Sequence, residues 1–207
     1  MADRIVVFGA GGHAKVVIEA ILARTPDREI VILDDAAEND APSIFGIAVS
    51  GGRDRLDSLR GTPVVPAIGR NDARERLMQW LQEQGQLIET VIHPRAFVAD
   101  SVKIGAGAFV SAGAIVIANA QIGAGAIINT SASVDHDCII GQSAHIAPGV
   151  HLCGNVRIGA RALVGVGTSI CPGVSVCDDV VVGAGSVVIR DIAEAGTYAG
   201  NPVRRLR

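Results

Sequence analysis

The segment "SASVDHDC", residues 131–138, places His136 between Asp135 and Asp137. An imidazole titrates near neutral pH, so a histidine can take a proton from a substrate and later return it. A carboxylate that hydrogen-bonds to one ring nitrogen fixes the tautomer and favours the protonated ring. The same residue types also suit a solvated surface turn, so the choice between the two depends on the elements that hold His136.

A strict repeat surrounds this segment. Residues 98–193 divide into sixteen consecutive hexads, and the first position of every hexad is Val, Ile or Leu. One inward aliphatic residue in every six predicts a parallel β-helix. Its stacked coils are joined by ladders of backbone hydrogen bonds and share one aliphatic core. Gly or Asn is expected at its strained turn positions. His136 takes the third position of its hexad, which points away from the core. Its ring can therefore face a cleft between two neighbouring β-helices.

The first 92 residues follow a different pattern. "RIVVFGAGGHAKVVIEAILAR" predicts a strand, a glycine turn and a helix, while "EIVILDD" and "TPVVPAIG" predict two more strands. "NDARERLMQWLQEQG" predicts a second helix, with Asn71 or Asp72 as its N-cap. Strands that alternate with helices predict a small α/β domain of the βαβ, half-Rossmann-like type. We therefore expect this domain over residues 1–92, and a β-helix with a C-terminal tail over residues 93–207.

The glycine turn "GAGGHA", residues 9–14, fits the G-x-G-x-x-G/A dinucleotide fingerprint. Asp34 and Asp35 lie roughly where that fingerprint places a ribose-binding acid. Amides at a helix N-terminus also favour an anionic ligand. Only one mononucleotide half fits before the hexads begin, which favours a nucleotide over NAD. A purely structural tight turn, with His13 in solvent, remains open from these residues.

Composition and residue spacing give no support for several classes of function. A formal net charge of -3 gives no support for a nucleic-acid or anionic membrane surface. The start has no signal-peptide pattern and no run of 18 uncharged apolar residues occurs, so we expect a cytoplasmic protein without membrane insertion. The four cysteines form no CxxC pair and are expected to be reduced. The spacing of His136, His145 and His151 does not stack them in an 18-residue coil, so no metal is expected.

Four stretches together carry a family resemblance: "FGAGGHAKVV", "ILDD", "NTSASVDHDCIIGQSAHIAPGVHLCGNVRIG" and the ending "YAGNPVRRLR". The first three resemble the bacterial hexapeptide-repeat sugar acyltransferases, the group of sialic-acid O-acetyltransferases and nucleotide-4-amino-sugar N-acetyltransferases. The ending resembles the Gly-x-Pro-x-Arg tail common to hexapeptide acyltransferases. The likeness covers essentially the whole chain. It implies a left-handed parallel β-helix, a homotrimer, acetyl-CoA as donor and an active site between neighbouring subunits.

Carried over by position, the resemblance implies His136 as general base with Asp137 as its acidic partner, and leaves Asp135 as an alternative partner. It implies a substrate pocket made of Gly11, Gly12, His13, Asp34, Asp35 and Gly69. It implies acetyl-CoA contacts from His145, Gly154, Val166 and Ala184, with the Gly154 amide facing the thioester oxygen.

The activity implied is acetyl-CoA-dependent N-acetylation of the 4-amino group of a nucleotide-linked 4-amino-deoxy sugar, for surface glycan or glycoprotein synthesis. An amine is already a fair nucleophile, so direct attack on the thioester gives Cys138 and Cys153 no role. Two alternatives stay open: an O-acetyltransferase acting on a sialic acid or related sugar with the same base, and a non-catalytic nucleotide-sugar-binding trimer. The nucleotide carrier, whether uridine, guanosine or thymidine, cannot be read from these residues.

Overall fold

The computed structural model describes residues 3–36 and 43–206. They form a small α/β domain followed by a three-sided parallel β-helix, which confirms the predicted fold class. The α-helices in this part of the chain are two, of 13 residues each. Within the described ranges, no helix has the length and apolar character needed to cross a bilayer.

The α/β domain is a three-stranded parallel sheet covered on both faces. Its elements, in chain order, are β1 (Arg4–Phe8), α1 (Gly12–Arg24), β2 (Glu29–Leu33), a 3-10 helix (Arg53–Leu59), β3 (Val64–Pro66) and α2 (Asn71–Glu83). The strand order is β2-β1-β3. Ile5 and Val7 pack toward α1, whereas Val6 and Phe8 pack toward α2 and the 3-10 helix. Burial on both faces explains why the strands are continuous apolar runs.

The ends of α2 are set by different interactions. The predicted N-cap at Asn71 or Asp72 is wrong: the N-cap is Arg70, which makes no side-chain capping bond. Asn71 is the first helical residue, and its amide donates instead to the Arg161 and Ala162 carbonyls at 2.8 and 3.1 Å. The C-terminal end is closed by Gly85, whose positive φ of 65° is the left-handed conformation typical of that position.

The β-helix has three faces, which we number in the order in which each coil visits them. Face 1 consists of β4 (Val91–Ile92), β7 (Phe109–Val110), β10 (Ile127–Ile128), β13 (His145–Ile146), β16 (Leu163–Val164), β19 (Val180–Val182), β21 (Gly196–Gly200) and β22 (Val203–Arg205). Face 2 consists of β5 (Phe97–Val98), β8 (Ile115–Val116), β11 (Ser133–Val134), β14 (His151–Leu152), β17 (Ser169–Ile170) and β20 (Val187–Val188). Face 3 consists of β6 (Lys103–Ile104), β9 (Gln121–Ile122), β12 (Ile139–Ile140), β15 (Arg157–Ile158) and β18 (Ser175–Val176).

One coil contains 18 residues, as the pairing of Ile128 with Ile146 shows. The first hexad positions point inward as predicted, and together with the small fifth positions they fill the core. The turn positions differ from the prediction of Gly or Asn alone. Ser131, Asp137 and Arg161 also adopt left-handed backbone conformations, with φ of 56°, 58° and 57°. The stacked coils on both sides hold these residues in a conformation that they would rarely choose in isolation.

The α/β domain packs on face 1. The outward side chains Phe109 and Ile127 of this face are buried in one cluster with α1 residues such as Val17 and Ile21. Face 2 has no such cover within the described residues, because Phe97 and Ile115 remain 60% and 47% exposed. Face 1 therefore joins the two domains, while face 2 presents apolar side chains to the outside.

Candidate active site

His136 lies in the turn between faces 2 and 3, which we call the 2–3 corner. Its Nδ1 is 2.9 Å from Oδ2 of Asp137, and the ring is half exposed. Asp135 has a different task, because its Oδ1 accepts a hydrogen bond from the backbone N–H of His136 at 2.7 Å. Of the two flanking aspartates, only Asp137 bonds to the imidazole.

This pairing sets the charge preferences of both groups. The hydrogen bond to Asp137 raises the pKa of His136, with the charge of Asp135 as a smaller cause. The same bond lowers the pKa of the Asp137 carboxyl, and a weaker bond from the Asn119 amide adds to this. Because a carboxylate can only accept, Nδ1 carries the proton and Nε2 of the neutral ring is left as the basic nitrogen.

Gly154 lies directly beneath this imidazole, one coil further along the chain. A Cβ atom at position 154 would overlap Nε2 and Cε1 of His136. The backbone of the lower coil is also tied to the upper one, since the Asn155 N–H donates to the His136 carbonyl at 2.9 Å. A glycine is required here so that the ring can lie against the backbone of the next coil.

A second group of the predicted residues gathers at the carboxyl ends of β1 and β3. Gly11 is the N-cap of α1, and Gly11 and Gly12 are exposed with open space above them. Gly69, which follows β3, lies beside His13: a Cβ built on Gly69 would be 3.7 Å from that of His13. The first amides of α1 have no acceptor within the helix, so this edge offers donors to an anionic ligand.

His13 is held against the β-helix, with its ring edge-on to Phe109 of β7 at 5.2 Å between centroids. Its Nε2 is buried and has no hydrogen-bond partner among the described residues. Burial lowers the pKa of His13 to about 3, and the positive charge of Arg74 adds to the effect. The ring is therefore neutral at physiological pH, rather than a solvated first-turn side chain.

His145 projects from β13 on face 1 toward the same edge of the α/β domain. Its Nε2 is 3.0 Å from the side-chain amide nitrogen of Asn129. Burial lowers the pKa of His145 to about 4, with the charge of Arg74 as the second cause. Gly69 and His145 line one open cavity of about 390 Å³ between α2 and face 1. His145 thus lies beside the predicted substrate pocket, and not at the 2–3 corner where Gly154 is found.

Asp34 and Asp35 follow β2 and are already engaged by the protein. Asp34 accepts from the Ala10 N–H in the glycine turn at 2.7 Å and from the Ala36 N–H at 2.8 Å. Asp35 accepts from the backbone N–H and the Nε of Arg53, at 2.9 and 2.7 Å. Asp34 therefore shapes the glycine turn, while Asp35 holds the 3-10 helix near it.

Val166 and Ala184 lie elsewhere in this chain. Both are exposed and occupy stacked turns between faces 1 and 2, where the Gly185 N–H donates to the Val166 carbonyl at 2.8 Å. Gly154 lies at the 2–3 corner, so face 2 separates it from Val166 and Ala184. A single chain consequently does not bring the four predicted acetyl-CoA residues to one place.

Two residues of the site carry no motif of their own. Asn119, which supports Asp137, precedes it by 18 residues, so the coil period could have identified it. Arg74 is fully buried between the domains and affects both His13 and His145. In the described part of the chain, no cluster of three or more His, Cys, Asp or Glu side chains could hold a metal ion.

Comparison with known proteins places this architecture in a family. The PglD N-terminal domain model matches residues 4–81, and the hexapeptide repeat of succinyl-transferase matches residues 132–160 and 155–190. UDP-N-acetylbacillosamine N-acetyltransferase of Bacillus subtilis (strain 168) is 36% identical over 121 residues, or 52% of this chain and 51% of that protein. The chain thus aligns with about half the length of this curated relative.

Two solved structures are similar over nearly their whole length. PerB from Caulobacter crescentus, in complex with CoA and GDP-perosamine, is 40% identical and has a TM-score of 0.89, covering 97% of this chain and 96% of that one. The acetyltransferase domain of PglB from Neisseria gonorrhoeae FA1090, in complex with acetyl coenzyme A, is 38% identical with a TM-score of 0.93, covering 100% of both. The fold and site thus define a hexapeptide-repeat acyltransferase with an added α/β domain. The chain belongs to the hexapeptide-repeat sugar acyltransferase family.

Proposed function

We propose that this protein transfers an acetyl group from acetyl-CoA to the 4-amino group of a nucleotide-linked 4-amino-deoxy sugar. The observation that carries the proposal is the His136–Asp137 pair, which leaves Nε2 of His136 as a basic nitrogen above Gly154. A surface histidine without such a partner would lack both the fixed tautomer and the raised pKa.

The reaction needs a base because a sugar amine is largely ammonium near neutral pH. The ammonium gives its first proton to solvent water, and the neutral amine nitrogen then attacks the thioester carbonyl carbon while Nε2 of His136 takes the second proton. The tetrahedral intermediate then collapses, the C–S bond breaks, and the CoA thiolate takes the proton back from His136. The Gly154 amide, just below the ring, is the proposed donor to the developing oxyanion.

We assign the nucleotide-linked sugar to the edge formed by Gly11, Gly12, His13 and Gly69. Free amides at the start of α1 suit a diphosphate, because the helix N-terminus carries partial positive charge. The carboxylate of Asp34, which accepts from the Ala10 N–H of the turn, suits the ribose hydroxyls rather than the diphosphate. Relatives that act on UDP-N-acetylbacillosamine or bind GDP-perosamine support a nucleotide-linked amino sugar.

Direct attack, without an acyl-enzyme, fits the cysteines of this site. Cys138 is fully buried, and its thiol donates to the Cys153 carbonyl at 3.2 Å. Burial raises the pKa of the Cys138 thiol to about 11, so little thiolate forms at neutral pH. The acetyl group is therefore expected to pass straight from CoA to the amine.

We further propose a homotrimer in which face 2 meets a neighbouring copy. Its exposed apolar residues Phe97 and Ile115 favour burial. Face 2 also lies between the 2–3 corner and the turn that carries Val166. Packing through this face would bring His136 and Gly154 of one subunit toward Val166 and Ala184 of the next, which completes the acetyl-CoA site.

The proposal is tested by thiol release from acetyl-CoA with UDP-, GDP- and dTDP-linked 4-amino-4,6-dideoxy sugars and with a sialic acid as acceptors. Release with one carrier, accompanied by an acetylated sugar in the mass spectrum and lost in His136→Ala, is the expected result. Release only with a sialic acid would instead assign O-acetylation. Sugar binding that is the same in both proteins, with no turnover of any acceptor, would assign a non-catalytic binding protein.

A further inference from the structure

Arg74, in the first turns of α2, is the one fully buried cation of the described residues. Its guanidinium meets no carboxylate: within the described ranges, no ion pair includes this side chain. Burying an unpaired charge is costly unless every donor is bonded.

All the Arg74 donors are bonded to neutral oxygens of two domains. On the α/β side, Nη1 donates to the Ile68 and Gly69 carbonyls at 2.9 and 3.0 Å, and Nη2 donates to Oδ1 of Asn71 at 2.8 Å. On the β-helix side, the Nε donates to the Gly125 carbonyl at 2.6 Å and the Nη2 to the Ser143 carbonyl at 2.8 Å.

The acceptors on the β-helix are a feature of its corner geometry. Gly125 and Ser143 stack 18 residues apart in the turns between faces 3 and 1, and both have left-handed φ values of 65° and 53°. These turns leave carbonyl oxygens outside the strand ladders, pointing to the incoming helix. Asn71 uses the next turn of the same corner, through the Arg161 carbonyl.

The loop that Arg74 holds is the one that contacts His13 and His145, the two histidines whose pKa is lowered. Gly69 lies beside His13, and its carbonyl, which accepts from Arg74, also interacts with the His145 ring. The positive charge of Arg74 lowers the pKa of both histidines, after burial in each case. One side chain thus connects the glycine-turn edge with His145 on face 1.

We propose that Arg74 is a positioning residue that fixes the substrate edge of the α/β domain relative to His145 on the β-helix. Through Gly69 it sets the distance between His13 and His145, and its charge adds to the burial that disfavours protonation of both imidazoles. The kinetic consequence rests on the proposed function, in which this edge holds the nucleotide-linked sugar.

The first experiment compares Arg74→Lys with Arg28→Lys. Arg28 is a matched control, since it forms a close bidentate pair with Glu89 at 2.6 and 2.7 Å at the opposite end of the sheet. Lysine at position 74 keeps the charge but cannot reproduce the fork of donors. We expect the KM for the amino sugar to rise at least tenfold in Arg74→Lys, while the KM for acetyl-CoA changes less and Arg28→Lys stays within twofold of wild type.

A second variant, Asn71→Ala, removes one acceptor and leaves the buried charge in place. It should raise the same KM in the same direction by a smaller factor. If Arg74→Lys and Asn71→Ala lose only thermal stability and keep the wild-type KM values, Arg74 is a structural residue and the proposal is overturned.

NMR of histidine-labelled protein gives a readout that does not depend on turnover. The ring signals of His13 and His145 are assigned with the variants His13→Gln and His145→Gln and followed as the pH changes. In wild type and Arg74→Lys both rings should stay neutral down to pH 5.5, whereas Arg74→Met should shift the His145 titration upward. An unchanged titration in Arg74→Met would refute the electrostatic part. If wild type acetylates none of the amino sugars, the proposed function fails, but the ring titrations still test whether Arg74 acts on His13 and His145.

Discussion

The imidazole of His136 lies against the backbone of Gly154, which follows it in the chain by one 18-residue coil. No side chain fits at position 154 while the ring keeps its place, because a Cβ there would overlap the imidazole. The 18-residue coil therefore couples the geometry of the proposed base to a residue that shares no local motif with it.

We predict that Gly154→Ala lowers kcat by a factor of about 10² or more, within the range that general bases contribute. The added methyl group forces the ring away from Asp137 and from the proposed oxyanion donor. The measurement is thiol release at saturating substrates, together with circular dichroism to verify the fold.

Gly173→Asn provides the matched control for that substitution. Gly173 lies in the same corner one coil below Asn155, with φ of 73°, and a Cβ atom added there would meet no atom within 4 Å. Asparagine already adopts this conformation at Asn119 and Asn155, with φ of 62° and 61°. This variant should be as active as wild type, and an equal loss in both variants would refute the specific role of Gly154.

Asp137→Asn should shift the pH profile of the enzyme. The base must be neutral to act, so kcat/KM rises as the pH rises through the pKa of His136. Asp137 raises that pKa above the ordinary value of 6.5, so its removal moves the midpoint of the rise to lower pH. It should also lower the plateau, because the ring loses its fixed tautomer.

The pH dependence of kcat/KM in wild type, Asp137→Asn and Asp135→Asn checks this prediction. Substrate ionisation is common to all three enzymes, so only the His136 contribution moves. Asp135→Asn should give a smaller shift, since its carboxylate bonds to the backbone and acts on the ring through charge alone. A midpoint that is the same in all three would mean that His136 is not the base.

The β-helix was predictable because one period specifies several features at once. Sixteen hexads fix the strand positions, the inward residues and the coil length, and the buried first positions such as Val134 and Ile146 follow from that pattern. The α/β domain was predictable from its apolar runs and its glycine turn. The N-cap of α2 was not, because Asn71 finds carbonyl partners on another domain, and such partners leave no signature in the local sequence.

The candidate site was predictable to different degrees. His136 and Asp137 are neighbours in the chain, so their residue types alone suggested the contact between them. Which of the two flanking aspartates bonds to the ring depends on the turn conformation, in which Asp137 has a φ of 58°. Arg74 could not be found from the sequence. An arginine in an amphipathic helix normally faces solvent, and its partners here are backbone carbonyls, which any residue type can supply.

His145 should make the stability of the protein depend on pH. Its pKa is about 4 in the folded protein and 6.5 in an unfolded chain, so the unfolded state binds more protons between these values. Folding stability from this group is complete above pH 6.5 and is lost as the pH falls toward 4. At pH 5 the loss amounts to about 2 kcal/mol relative to pH 7.5.

His145→Gln removes this titration and should flatten the dependence by about that amount. The measurement is urea unfolding of wild type and variant at pH 7.5 and pH 5, compared as the difference between the two pH values. Comparing differences removes the constant cost of the substitution. An equally steep loss in the variant would show that His145 is not the group responsible.

Ile115→Asp should prevent assembly of the trimer while each chain stays folded. Ile115 projects from face 2 and is 47% exposed, so aspartate there disturbs no core packing but places a charge in the proposed trimer interface. We expect a folded monomer near 21.3 kDa by light scattering, in place of a particle three times as heavy. Thiol release should be lost although His136, Asp137 and Gly154 are unchanged, because Val166 and Ala184 of the neighbouring copy are absent.

Lys103→Asp, an exposed change on face 3, should leave both mass and activity at their wild-type values. A fully active Ile115→Asp monomer would place the whole acetyl-CoA site within one chain and exclude the shared site.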